Sequence, residues 1–109
     1  MAVFEKMRDA RRAGDVKAYT DLMHDDCVFV RHQSGTTMNK AEVTELLQNM
    51  MANGGSFGEE RCVYENDDIL VLHSINDYPD GSREAVLAAY SLKDGKITRL
   101  ETGATPLSS

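Results

Sequence analysis

Basic residues are in short supply in this sequence: twelve Lys and Arg face eighteen Asp and Glu, a formal charge of -6 at pH 7. Such a field repels phosphate backbones and anionic lipid, which disfavours nucleic-acid and membrane partners. No apolar run approaches the roughly 20 residues that span a bilayer. The opening MAVFEKMRDARR turns charged before a signal-peptide core could form, so a cytoplasmic location is the expectation. Cysteine is limited to Cys27 and Cys62, which form no close-spaced metal pattern. A reducing cytosol would keep both as thiols, and both are expected as small buried hydrophobes. No histidine pair at i,i+4 and no tight Cys/His cluster occurs, so His24-Asp25-Asp26, His32 and His73 fall short of a metal-ligand pattern; neither a metal nor another cofactor is expected. A G-x-S-x-G nucleophile elbow is also missing, and Ser74 and Ser91 fall inside predicted strands. There is no internal repeat, low-complexity tract or linker.

What is present suits one domain over residues 1–109: 109 residues, 41% apolar and 28% charged, are enough for a single core. Val3, Phe4, Met7 and Ala10 recur at helical spacing, and Gly14 can take the left-handed C-terminal position. Asp15 can cap a second helix whose stripe is Val16, Tyr19, Leu22 and Met23. After His24-Asp25-Asp26, read as a polar connection, Cys27 to His32 forms a β-branched and aromatic strand, and Gly35 ends it within a Ser/Thr-rich loop. Asn39 and Glu42 make a capping-box pair at the head of a third helix that carries Val43, Leu46, Leu47, Met50 and Met51 and stops at Gly54-Gly55.

Beyond Phe57 the apolar period drops to two. Strands are predicted around Glu60 to Glu65, from Ile69 to Tyr78, from Arg83 to Leu92 and from Lys96 to Ala104. Turns at Asn66-Asp67, Pro79-Asp80-Gly81 and Asp94-Gly95 join them, and a loosely held tail follows. The middle hairpin has two allowed registers. A two-residue loop pairs His73 with Ala88 and Asp77 with Glu84; a three-residue loop pairs His73 with Leu87 and Asp77 with Arg83. Three helices followed by a strand meander predict an α+β fold in which a curved, mostly antiparallel sheet holds the three N-terminal helices in its concave face and encloses a cavity.

This order of elements, with Gly14-Asp15-Val16 through Leu22 and then Asp25-Asp26-Cys27-Val28-Phe29-Val30, resembles the nuclear transport factor 2-like superfamily over essentially the whole chain. Within it the pattern is most similar to the SnoaL-like polyketide cyclases and ketosteroid isomerase. The resemblance implies a cystatin-like cone with an internal pocket, a scaffold that hosts isomerases, dehydratases, cyclases, epoxide hydrolases and non-catalytic binders. Ketosteroid isomerase chemistry needs a carboxylate base with a tyrosine and a protonated aspartate as oxyanion donors. Counted from Gly14-Asp15 and around the 79–81 hairpin, those positions fall on Arg31, Met7 and near Ala88, so a steroid-isomerase mechanism is disfavoured. The same comparison puts Arg31 in the pocket, with Phe29 and Cys27 on its side of the strand because alternate residues share a face.

Arg31 and His73 are the candidate catalytic residues. A guanidinium in an apolar cavity could clamp a carboxylate or enolate oxygen bidentately; the alternative is an internal ion pair with Asp77, Glu84 or Glu60. His73 interrupts Ile69-Leu70-Val71-Leu72 and, with Ile69, Val71 and Ile75 facing inward, lies on the concave side, where an imidazole can relay protons near neutral pH. The alternative is a histidine satisfied by core or dimer-interface hydrogen bonds. Tyr19 and Tyr90 are candidate hydroxyl donors to a ligand, or core residues. Cys27 is a thiol that Arg31 could acidify, or an ordinary buried one. Phe29 and Asp77 complete the ligand-facing set. Met7, Met23, Met38, Met50 and Met51 offer a soft interior for an irregular apolar ligand, or plain helix packing.

Two functions follow. The first is a small-molecule pocket protein, a SnoaL-like enzyme with isomerase, cyclase or dehydratase acid/base chemistry on a small apolar ligand, whose anionic or enolic oxygen Arg31 fixes while His73 relays a proton. The second is a non-catalytic homodimeric ligand-binding or protein-interaction module, with Leu70, Leu72, Leu87 and Ala89 as a self-association face opposite the cavity. A homodimer fits either.

Overall fold

Helix α1 (Val3–Ala13) ends where Gly14 adopts φ +66°, a left-handed conformation that lets its N–H reach back to the last-turn carbonyls. Asp15 then caps α2 (Val16–Thr20) by accepting a 3.0 Å hydrogen bond from the Ala18 N–H. These two residues turn the chain, and Val3, Met7 and Ala10 of α1 face the core with Tyr19 of α2. The computed structural model describes residues 2–52, 56–78 and 80–107, the side chains of 56–59 excepted. Gly54-Gly55, Pro79, the Phe57 side chain and the last two serines of the tail lie outside the described residues.

Strand β1 (Met23–Arg31) pairs antiparallel with a short β2 (Thr36–Asn39), and α3 (Lys40–Ala52) follows directly. The capping box at Asn39 forms as expected: Asn39 Oδ1 accepts from the Glu42 N–H at 2.9 Å and Glu42 Oε1 from the Asn39 N–H at 3.0 Å. The meander is β3 (Ser56–Glu65), β4 (Ile69–Asp77), β5 (Arg83–Lys93) and β6 (Lys96–Leu107). The sheet has six strands in the order β2-β1-β6-β5-β4-β3, antiparallel except where β1 runs parallel to β6. It is curved and open, and the three helices cover its concave face. At the β5–β6 turn Asp94 and Gly95 both take positive φ, 53° and 78°, the mirror-image hairpin geometry that an Asp-Gly pair favours.

Several boundaries differ from the sequence reading. Met23 belongs to β1 rather than to α2, and His24-Asp25-Asp26 lie within the strand at an irregularity in its pairing with β6. The Ser/Thr-rich segment read as a loop supplies β2, because Thr36, Thr37 and Met38 find partners in Arg31, Val30 and Phe29. The predicted tail is largely strand, since β6 pairs with β5 as far as Leu107 opposite Arg83. Cys27 is buried as expected, whereas Cys62 is exposed on β3.

The faces of β4 are the main correction. The hairpin takes the three-residue register, pairing Asp77 with Arg83 and His73 with Leu87. Leu70, Leu72, Ser74 and Asn76 are the buried set, alternating with half-buried Val71, His73 and Ile75. The concave face therefore carries the leucines and two polar residues, while His73, with Val71 and Ile75, points the opposite way. Leu70 and Leu72 at 0% and 1% exposure are core residues, not part of an outer self-association face. Leu87, 54% exposed, and half-buried Ala89 do lie on that outer face.

Candidate functional site

The helices do not fill the concavity. Between α3 and the sheet remains a space of about 90 Å³. Val43, Leu47 and Met50 of α3 close one side, and Phe29, Leu72, Val86 and Leu100 of the sheet face them. Two polar groups interrupt this apolar lining.

The first gathers on Arg11. In α1 this residue stands one position after Ala10 and four after Met7, so it extends the buried stripe and carries its guanidinium inward. It forms an ion pair with Glu60 of β3, the two side chains being 9% and 11% exposed. It also donates to the Tyr19 hydroxyl at 3.2 Å, and its guanidinium lies 5.2 Å from the centre of the Tyr19 ring. Tyr90 joins from β5. Burial drives the Tyr90 phenol pKa well above its ordinary value, Tyr19 adds to the rise, and the Arg11 charge opposes it. At such a site a phenol stays protonated and acts as a hydrogen-bond donor.

The second group surrounds Tyr78, just beyond the end of β4. Asn76 and Glu84, direct partners across β4 and β5, both turn into the cavity and are each 9% exposed. Tyr78 has a raised pKa, caused first by burial and next by its hydrogen bond with Glu84; a hydrogen bond from the Asn76 side chain and then the nearby Arg31 charge work against the rise. Arg31, from the end of β1, lines the same cavity. Among the described residues its guanidinium has no carboxylate within ion-pair distance. Each carboxylate that could have neutralised it is placed otherwise: Asp77 bonds Arg83 at 2.8 Å, Glu60 pairs with Arg11, and Glu84 lies against Tyr78.

Of the residues singled out in the sequence, the structure brings Arg31, Phe29, Tyr19 and Tyr90 together around the cavity. Cys27 shares their side of β1 but sits in the core at 1% exposure, where burial raises the thiol pKa and Lys40 only partly offsets the rise. It does not border the cavity. Asp77 and His73 are on the other face of the sheet, so neither reaches the enclosed space; alternation along β4 gives the inward positions to Ser74 and Asn76. Arg11, Asn76 and Tyr78 were not foreseen as lining residues. For Arg11 the signal was available in its place on the helical stripe. For Asn76 and Tyr78 the signal depended on the face of β4, which the sequence leaves ambiguous.

Among the described residues no group of three His, Cys, Asp or Glu is placed to hold a metal ion, and no helix is long and apolar enough to cross a membrane. The positions compared with ketosteroid isomerase hold Arg31 and Ala88 at the cavity and Met7 in the core, so that enzyme's three reacting groups are not reproduced.

Comparison with known proteins agrees with the architecture. Residues 4–100 match the family model of the SnoaL-like domain. An uncharacterised cystatin-fold protein from Novosphingobium aromaticivorans superposes with a TM-score of 0.75 at 21% identity, covering 94% of this chain and 98% of that one. A candidate ketosteroid isomerase from Kribbella flavida superposes with a TM-score of 0.77 at 12% identity, covering 98% of this chain and 78% of the other. IdmH, a candidate polyketide cyclase from Streptomyces antibioticus, gives 0.68 at 15% identity, with 94% and 88% covered. No protein of curated function matches the sequence.

Proposed function

Taking as premise that the chain belongs to the SnoaL-like family, within the nuclear transport factor 2-like superfamily, we propose that it binds a small organic molecule in the cavity beneath α3, with Arg31 holding an anionic or enolic oxygen of that molecule. The observation that carries this reading is Arg31 itself. It is a cation on the wall of a largely apolar cavity, without a carboxylate partner among the described residues, while Asp77 and Glu60 are paired elsewhere. A guanidinium in that setting gains most from a planar oxyanion that can accept two hydrogen bonds. The volume of about 90 Å³ is below the roughly 300 Å³ at which drug-sized ligand pockets begin, which favours a compact molecule over a steroid-sized one.

Any acid/base chemistry belongs to the groups that border this space. Glu84, Tyr19, Tyr78 and Tyr90 are those groups, beside the cations Arg11 and Arg31, and His73 is not among them. The structural neighbours named as a candidate isomerase and a candidate cyclase supply the enzymatic version of the reading; the cavity supports ligand binding without it. Native mass spectrometry of protein purified from its own host, followed by release under denaturing conditions, tests the proposal. A stoichiometric small organic acid or enol that disappears in Arg31→Ala is the expected result. Protein that carries no small molecule, and acquires none from a host metabolite extract, counts against it.

A second reading concerns self-association through the outer face of the sheet. Leu87 and Tyr64 are 54% and 56% exposed, and their partners His73 and Val71 face the same side. An exposed apolar row on a sheet favours pairing with a second copy. Sedimentation of wild type and Leu87→Glu checks this: a dimer converted to monomer supports it, and a wild-type monomer at micromolar concentration rejects it.

A further inference from the structure

Asn76 and Glu84 occupy opposed positions on β4 and β5, so their side chains emerge side by side on the concave face. Each is nine-tenths buried and each borders the cavity. Asn76 Oδ1 and Glu84 Oε1 are both sealed from solvent, and among the described residues neither atom has a hydrogen-bond partner. Buried acceptors are nearly always satisfied, because removing them from water without a donor is costly. Two such atoms, adjacent and opening onto the same space, are unlike the scattered exceptions of an ordinary core. Of the neighbouring inward positions, Val86 is apolar and well buried, while Ser74 is a small buried hydroxyl.

We infer that Asn76 and Glu84 form a subsite for a hydrogen-bond donor, so the molecule bound in the cavity carries a primary amine that gives one hydrogen to each of Asn76 Oδ1 and Glu84 Oε1, or a hydroxyl that gives its single hydrogen to one of them. This rests on the reading of the cavity as a ligand site and narrows its occupant. Arg31 selects an acceptor oxygen on the ligand, and the Asn76–Glu84 pair selects a donor, so the ligand presents both kinds of group on one compact frame. Tyr78 borders both Glu84 and Arg31 and is a positioning residue, holding the Glu84 carboxylate in place while leaving Oε1 to the ligand. A site built around unpaired acceptors discriminates strongly against an analogue that lacks the donor, since that analogue leaves the same atoms unpaired in the complex.

Calorimetric titration of the full chain with benzoate, 3-hydroxybenzoate, 3-aminobenzoate and 3-methoxybenzoate tests the inference, the carboxylate being suited to Arg31. The hydroxy or amino probe is expected to bind wild type at least about tenfold more tightly than the methoxy probe. In Glu84→Leu or Asn76→Leu that ratio falls to about one, whereas Arg31→Met weakens all the probes and leaves the ratio in place. If benzoate binds and the hydroxy and methoxy probes bind equally, the donor subsite is wrong and the ligand site stands. If none of the probes binds, both are rejected. Melting temperature without any probe gives a separate check. Leucine at either position is expected to hold or raise it, because an unsatisfied group is removed. A fall of several degrees would mean that the two residues serve the fold, and would overturn the inference.

Discussion

Arg11 of α1 and Glu60 of β3 form an ion pair shut away from solvent, their side chains 9% and 11% exposed, and the same guanidinium bonds the Tyr19 hydroxyl. A helix and a strand nearly fifty positions apart in the chain are thus joined by charge inside the core. Removal of one partner leaves the other as a buried charge, so Arg11→Met or Glu60→Gln alone should lower stability by about 3–5 kcal/mol. The double variant Arg11→Met with Glu60→Leu should recover most of that loss. Urea denaturation of the three variants gives the comparison, and additive losses would contradict it.

Alkaline pH should loosen the fold through Tyr90. Its pKa in the folded state is raised, chiefly by burial, whereas in the unfolded chain it is about 10. Above that value the unfolded state binds fewer protons than the folded one, so the stability contributed by the neutral phenol is intact below about pH 10 and is lost as pH climbs beyond it. Tyr90→Phe should show a shallower decline of stability between about pH 10 and 11 than wild type. Equal slopes would mean that Tyr90 ionises without opposition.

The two thiols should behave differently. Cys62 is exposed and Cys27 is 1% exposed with a pKa raised by burial. A maleimide should label one thiol per native chain and two in denaturant. The rate at Cys62 should increase with pH into the alkaline range, because burial and the neighbouring Glu65 raise its pKa as well. Native labelling of Cys27 at a comparable rate would show that β1 opens readily.

Helix caps offer a smaller effect. Asn39→Ala removes the hydrogen bond to the Glu42 N–H and should cost about 1 kcal/mol, or roughly 4–8 °C in melting temperature for a domain of this size. Gly14→Ala meets no atom within 4 Å yet must hold φ +66°, for a penalty of about 1–2 kcal/mol. A thermal melt reads both.

Much of this was legible in the sequence because the cues were local. Gly14-Asp15, the Asn39–Glu42 box and Asp94-Gly95 each act within a few residues, and each did so in the structure. Arg31 and Phe29 line the cavity, on the side to which the comparison with ketosteroid isomerase assigned them. β4 was not legible in the same way. Its first half, Ile69-Leu70-Val71-Leu72, is apolar on both faces, and a strand of that kind does not declare which side meets the helices. The β-branched residues were assigned inward, but the leucines are buried and His73 turns away. The inversion gives the cavity-facing positions to Ser74 and Asn76 instead of His73. Arg11 went unnoticed for another reason: an arginine on a helix is ordinarily a solvated charge, and only the distant Glu60 makes a buried one acceptable. Strand β2 escaped because its four residues gain their structure from pairing with β1 rather than from their own pattern.

The parallel pairing of β1 with β6 has a consequence for how the chain is made. Phe29 finds its neighbour in Leu100, so the strand that leads from α2 into α3 has no inner partner until the last strand exists. At about 5–20 residues per second, a ribosome delivers β6 roughly 4–14 seconds after β1. Throughout that interval the edge of β1 that β6 will cover stays open. Pairing along that edge of β1 therefore waits for β6, and the nascent chain passes seconds with an unpaired strand edge on display.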